Sequence, residues 1–120
     1  MRPILAAQKI HPNALNIIEN NHLDIINEVK NAVTEHNIVI VGMAQNPAPK
    51  RARRVLDDLD IKYCYLEYGS YFKQWRRRNA LKMWTGWPTF PMIFVKGTLI
   101  GGSSDMLALI NSGEFNELKF

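Results

Sequence analysis

The spacing of hydrophobic and polar residues divides the first half of the chain into a helix, a strand and a second helix. Apolar residues recur every three or four positions between residues 23 and 35, which predicts an amphipathic helix. Residues 38–41 are an uninterrupted β-branched run, typical of a buried parallel strand. A second helix is predicted from Asn46-Pro47 to about Asp60, because an asparagine cap followed by proline is a favoured helix start.

The second half of the chain continues this alternation and adds a hairpin. Residues 62–67 form the next apolar run, and a third helix is predicted from Gly69-Ser70 to about residue 84. Residues 92–95 and 98–100 are short β-prone runs separated by two residues, which predicts a β-hairpin. A last helix follows the N-cap candidates at 103–105. This order of elements predicts an α/β chain of the thioredoxin-like fold, with a central four-stranded mixed sheet flanked by helices.

The composition agrees with one folded domain. The 120 residues are 47% hydrophobic with a formal net charge of +4, and we assign 1–22 to an N-terminal arm and 23–120 to the domain. No apolar run approaches membrane-spanning length, and the apolar stretch at the amino terminus is too short for a secretory signal. We therefore expect no membrane partner and a cytoplasmic location. Cys64 is the single cysteine, which excludes an intramolecular disulfide.

Residues 87–105 carry several elements at a distinctive spacing: Trp-Pro-Thr-Phe-Pro, the predicted hairpin, and Gly-Gly-Ser-Ser-Asp. This stretch resembles the carboxyl-terminal half of a glutaredoxin, and the Trp-Pro resembles the monothiol branch of that family. The resemblance covers about residues 23–120. It implies a glutaredoxin fold, a cis proline, and a glutathione-binding set consisting of Arg78, Thr89, Phe90, Pro91, Gly102, Ser103, Ser104 and Asp105.

Within that set, the resemblance implies specific contacts for two charged residues. Arg78 would meet the glycyl carboxylate of glutathione, and the alternative is an arginine on a solvated helix face. Ser104 stands where an aspartate would hold the γ-glutamyl amine, and the adjacent Asp105 is a substitute for it. Helix capping is the alternative role of Asp105.

The resemblance also locates the active-site position, and the chain lacks the family's cysteine there. With residues 50–52 matched to the family's basic helix, the four active-site residues are 46–49: Asn46 occupies the nucleophile position and Pro49 the second cysteine position. Met43 stands where a glutathione-binding lysine is usual. An asparagine amide cannot undertake thiol–disulfide exchange, and proline provides no N–H that could stabilise an anion. We therefore expect no catalytic residue at this position.

Other chemistry in the sequence is weaker. His11, His22 and His36 are far apart, so we expect no metal held by the chain alone, including an iron–sulfur cluster. Cys64 lies in a predicted strand, where a buried small hydrophobe is the more common role than a surrogate nucleophile. A basic cluster interleaved with aromatic residues favours either single-stranded nucleic acid binding or, as we prefer, a solvated helix with its aromatics inward. The cluster comprises Lys73, Arg76, Arg77, Arg78 and Lys82 with Tyr71, Phe72, Trp75 and Trp84.

The leading hypothesis is a redox-inactive glutaredoxin-like protein. It would bind glutathione, a glutathionylated or extended peptide, or a protein partner in a cleft kept from the family. Two alternatives stay open. One is an oxidoreductase or iron–sulfur protein that acts through Cys64 or a partner's thiol. The other is anion or nucleic-acid binding through the arginine-rich helix, which we consider the less favoured.

Overall fold

The computed structural model describes residues 1–70 and 72–117. Tyr71 and the last three residues of the predicted domain lie outside the described residues. After a short 3-10 turn at Ala7–Lys9, the elements in chain order are α1 (Pro12–Asn20), α2 (Leu23–Glu35), β1 (Ile38–Gly42), α3 (Pro47–Asp58), β2 (Cys64–Glu67), α4 (Trp75–Thr85), β3 (Met92–Val95), β4 (Thr98–Gly101), α5 (Ser103–Ser112) and α6 (Glu114–Glu117).

The four strands form one mixed sheet in the order β2-β1-β3-β4. β1 pairs with β2 in parallel, which the crossover through α3 makes necessary, and with β3 antiparallel. β3 and β4 are joined by the two-residue turn at Lys96-Gly97, both with positive φ. The predicted thioredoxin-like fold with a four-stranded mixed sheet is confirmed.

Strand β1 lies at the centre of the core, and all five of its residues are buried. Its side chains alternate between the two faces of the sheet. Val39 and Val41 belong to a cluster with residues of α2 and α4, while Ile38 and Ile40 belong to a second cluster with residues of α3 and α5. The sheet is therefore covered on both faces, as expected for a continuous β-branched run.

Helix α4 begins later than the sequence predicted. The predicted start at Gly69-Ser70 is wrong, because the helix begins at Trp75. Gly69 and Gln74 have φ of +66° and +60°, and a right-handed helix cannot continue through the left-handed region. Residues 69, 70 and 72–74 consequently lie outside the helix, where Lys73 N donates to Ser70 O at 3.2 Å. We call these five residues the loop 69–74.

The N-terminal arm forms its own short helix, α1, at residues 12–20. The arm also reaches the end of α4. Arg2 Nη2 donates to Trp84 O at 3.3 Å, and the guanidinium lies where a Cβ on Gly86 would be. The division of the chain into an arm and a domain at residue 22 stays a prediction.

Candidate functional site

Three segments meet beside the carboxyl end of β1: the start of α3, the loop at Phe90-Pro91, and the glycine turn before α5. Two hydrogen bonds connect them. Asn46 Nδ2 donates to Phe90 O at 3.2 Å, and Ser103 Oγ donates to Ala48 O at 2.7 Å. We call the space bordered by these segments the cleft. It brings together the predicted nucleophile position and most of the predicted glutathione-binding set.

The start of α3 is capped from within by Asn46, as the sequence predicted. Its Oδ1 accepts from Ala48 N at 3.0 Å. The neighbouring helical positions are Pro47 and Pro49, which have no N–H group. The first three residues of α3 therefore offer no unused backbone donor to an anion, although a helix start ordinarily offers several.

Pro49, at the second cysteine position, is buried rather than facing the cleft entrance. It packs on Gly42: a Cβ added to Gly42 would lie 2.8 Å from the Cβ of Pro49 and 3.0 Å from the ring of Tyr65. Real side chains do not approach this closely, so the packing depends on glycine at position 42.

The Phe90-Pro91 peptide bond is cis, which confirms the expectation from the resemblance. The Phe90 side chain is buried in the core, while Thr89 is exposed. Phe90 O is the acceptor that an extended ligand would use for strand-like pairing. Because the Asn46 amide already donates to this oxygen, a ligand has to share or replace that bond.

The glycine turn leads into α5 through a side-chain cap. Asp105 Oδ2 accepts from Gly102 N at 2.9 Å, so the capping role considered for Asp105 is present. A Cβ added to Gly102 would lie 3.5 Å from Pro91 O and 3.8 Å from Trp87 Nε1. Within residues 1–70 and 72–117, Trp87 Nε1 is a buried donor with no acceptor. The N–H groups of Ser103 and Ser104 lie in the first turn of this helix.

Arg78 lies behind the cleft loops and is 5% exposed. Its Nη1 donates to Tyr68 O at 2.8 Å and to Lys73 O at 2.7 Å. These bonds tie the loop 69–74 to α4, so the guanidinium has a structural contact that the sequence did not indicate. Its predicted contact with a glutathione carboxylate stays a prediction.

The loop 69–74 flanks the cleft, since Gly69 O accepts from Ala44 N at 2.7 Å, two residues before Asn46. The expectation that the aromatic residues here point inward is wrong for two of them: Phe72 is 89% exposed and Trp75 is 50% exposed. The late start of α4 is the reason, because it leaves Phe72 in the loop and Trp75 at the first turn. The predicted cluster residue Tyr71 lies outside the described residues.

Met43 and Cys64 are two further positions that the sequence singled out. Met43, at the family's lysine position, is buried in the core beside α2 and α4. Cys64 is half-buried and pairs with Val39, three residues along the strands from the Gly42–Glu67 pair at the cleft end. That is about 10 Å at 3.3 Å per residue. Burial raises the pKa of the Cys64 thiol, and the Glu35 carboxylate adds to this.

A cluster of metal ligands and a membrane-spanning helix are both absent from the described residues. Among the described residues, no three His, Cys, Asp or Glu side chains come together as metal ligands would. None of the helices described above combines the length and the hydrophobicity needed to cross a bilayer.

The mixed sheet, with a cis-proline loop beside the start of a helix, defines a protein of the thioredoxin-like fold class. The family model for glutaredoxin matches residues 38–100, which run from β1 into the hairpin. The chain therefore belongs to the glutaredoxin family.

Individual relatives agree with this assignment. A glutaredoxin-like protein of Dictyostelium discoideum is 48% identical over 108 residues, which are 89% of this chain and 88% of that protein. The mitochondrial monothiol glutaredoxin-S15 of Arabidopsis thaliana is 33% identical over 68% of this chain and 38% of its own length. The crystal structure of a buckwheat glutaredoxin–glutathione complex superposes with a TM-score of 0.71 at 19% identity, covering 83% of this chain and 91% of that chain. This last likeness shows the fold alone.

Proposed function

We propose that this glutaredoxin-like protein is redox-inactive and binds glutathione, a glutathionylated peptide or a protein partner in the cleft. One observation carries the proposal. The side chain at the nucleophile position, Asn46, is an amide that donates across the cleft to Phe90 O. The Phe90-Pro91 loop and the glycine turn border the same cleft.

The redox-inactive part of the proposal rests on the chemistry of α3. Thiol–disulfide exchange needs a thiolate, and glutaredoxin-type sites stabilise it with the N–H groups of a helix start. Here Asn46 provides no sulfur, and its own Oδ1 uses the single N–H among the first three helical residues. A cysteine restored at position 46 would have the Ala48 N–H as its one donor among these three residues, because Pro47 and Pro49 have none.

The binding part of the proposal rests on the open positions around the glycine turn. Gly102 has no side chain to fill the space beside Pro91 O, where a Cβ would lie in ordinary contact at 3.5 Å, and the first N–H groups of α5 are suited to a carboxylate. The residues present therefore fit glutathione: Phe90 would pair with its backbone, and Ser103 and Ser104 would hold one carboxylate. Thr89, Pro91, Asp105 and Arg78 complete the proposed set.

An oxidoreductase that uses Cys64 is the less favoured alternative. The thiol is displaced along β2 from the cleft, and its raised pKa keeps it protonated near neutrality. If Cys64 carried chemistry, Cys64→Ala would abolish reduction of a glutathionylated peptide that the native chain performs. We expect the native chain to show no such reduction.

The compartment stays a prediction. We propose the cytoplasm, on the sequence reasoning above, although relatives named as mitochondrial occur in Arabidopsis thaliana and Pongo abelii. Detection of the tagged native protein in cell fractions would decide it.

A titration followed by amide NMR tests the binding function. Reduced glutathione should shift the Phe90 and Ser103 resonances along a saturating curve. Gly102→Val should abolish those shifts, because its methyl groups fill the space beside Pro91 O, while Ala108→Val, on the exposed face of the same helix, should not. Absence of saturable shifts in the native protein would refute glutathione binding.

A further inference from the structure

We propose that the cleft accepts an extended, acidic segment of a protein partner, gripped by a basic rim on both sides of the glutathione position. We define the basic rim as Lys50, Arg51, Arg54, Phe72, Lys73, Trp75 and Arg76. The inference rests on the proposed function, and it adds the chemical class of the partner.

One side of the basic rim is a stripe along α3. Lys50, Arg51 and Arg54 follow Pro47 at helical spacings of three, four and seven residues, so they share one face that begins at the cleft. All three are exposed, and the first turn of α3 contains no acidic residue. In the described part of the chain, the recorded ion pair is Arg77–Asp24, so none of these three cations lies within ion-pair distance of a carboxylate, although Asp58 follows Arg54 by four residues on the same face.

The other side of the basic rim is the loop before α4. Phe72 is 89% exposed, Trp75 is 50% exposed, and the Arg76 guanidinium lies 5.1 Å from the centre of the Trp75 ring. This stacking holds a cation and an apolar surface together. The bond between Gly69 O and Ala44 N attaches the loop to the chain that enters the cleft.

The rim is too long for glutathione to use. Arg54 is eight residues beyond Asn46, which is about 12 Å along the helix axis. An extended tripeptide spans at most about 11 Å, and it would be held at Phe90 and Ser103. A longer peptide would extend past both the stripe on α3 and the loop before α4. The residues on either side of its centre would therefore meet the basic side chains of the rim.

The Phe90 backbone, which lies between the two sides of the basic rim, favours a peptide over a nucleic acid. The Phe90 segment presents a backbone edge, and a peptide can exchange N–H and C=O bonds with it. The backbone of a nucleic acid has no alternating row of N–H and C=O groups for such strand-like pairing. Carboxylates on the peptide complement the rim, and exposed Phe72 and Trp75 add apolar contact at low conformational cost.

Labelled decapeptides test the inference. Each has a central glycine pair whose backbone can pair with Phe90, with flanks of glutamate, glutamine or lysine, and binding is followed by fluorescence anisotropy. At low salt the glutamate peptide should bind at least about tenfold more tightly than the glutamine peptide, and added salt should reduce this difference. Arg51→Glu/Arg54→Glu should remove the difference, whereas the charge-matched control Lys9→Glu/Lys62→Glu, away from the cleft, should keep it.

Free glutathione separates the two proposals. If glutathione shifts Phe90 and Ser103 but the three peptides bind equally, the acidic-partner inference is wrong and the cleft function stands. If glutathione gives no shifts while the glutamate peptide still binds most tightly, glutathione binding is refuted and the acidic-partner inference stands. If neither result is seen, both proposals fail. Tighter binding of a ten-nucleotide single-stranded thymidylate than of the glutamate peptide would also overturn the inference, in favour of nucleic acid.

Discussion

Replacing Asn46 separates the two hydrogen bonds that its side chain makes. Its Oδ1 caps α3 through Ala48 N, and its Nδ2 bridges the cleft to Phe90 O. Asn46→Ser keeps a capping acceptor but loses the donor to Phe90 O, whereas Asn46→Ala loses both. The loss of stability from the native protein to Asn46→Ser therefore measures the bridge, and the further loss to Asn46→Ala measures the cap.

The size of each loss follows from the bond that is removed. Loss of an N-cap costs about 1 kcal/mol, and loss of one amide–carbonyl hydrogen bond also costs about 1 kcal/mol. We expect the free energy of unfolding, measured by urea denaturation, to fall by about 1 kcal/mol in Asn46→Ser and about 2 kcal/mol in Asn46→Ala. Asn31→Ala, exposed on α2, is the control and should stay within about 0.5 kcal/mol of the native protein.

Ligand binding should respond in the opposite direction. Without the bridge, Phe90 O is open, so a ligand no longer has to replace a bond of about 1 kcal/mol and should bind about fivefold more tightly. Isothermal titration of glutathione into Asn46→Ser measures this. An Asn46→Ser variant as stable as the native protein would refute the bridge, and weaker binding by Asn46→Ser would mean that the amide contacts the ligand.

Three further predictions follow from single contacts. Asn46→Cys should remain a poor thiol–disulfide exchanger, and alkylation against pH should show a thiol pKa only slightly below its ordinary value, because Ala48 has the single N–H among the first three residues of α3; fast exchange would contradict this. Arg78→Lys should destabilise the chain by about 2 kcal/mol through loss of its buried carbonyl contacts, unlike exposed Arg76→Lys. Burial raises the pKa of Tyr65 to about 12, so stability should fall between about pH 10 and 12, where the unfolded chain ionises first. Tyr65→Phe should reduce that slope in urea unfolding without removing it, because burial also raises the pKa of Tyr68.

Most of the fold could be predicted from the sequence because local patterns and tertiary packing agree. The β1 run is buried on both faces, the Lys96-Gly97 turn closes the hairpin, and Asn46-Pro47 begins α3. The start of α4 could not be predicted, since it depends on a left-handed conformation at Gln74. Glutamine has no strong preference for that conformation, and tertiary contacts through Arg78 hold the loop in place.

The resemblance to glutaredoxins located residue 46 and the glycine turn, and the structure brings both to the cleft, but the resemblance did not indicate the bonds made there. The sequence indicated that Asn46 caps a helix, but nothing local indicates that its amide reaches Phe90, 44 residues away. The same limit applies to Ser103, whose hydroxyl bonds to Ala48 O 55 residues away. Such long-range bonds depend on the assembled fold.

Asparagine at position 46 can both cap α3 and bridge the cleft. Serine, threonine and aspartate also cap helices, but none offers an amide donor beside the acceptor. Asn46 uses both groups, one toward Ala48 N and the other toward Phe90 O. Aspartate would place a second acceptor against Phe90 O, so Asn46→Asp should cap α3 and still destabilise the cleft. The residue at the family's nucleophile position is thus also the residue that connects the two walls of the cleft.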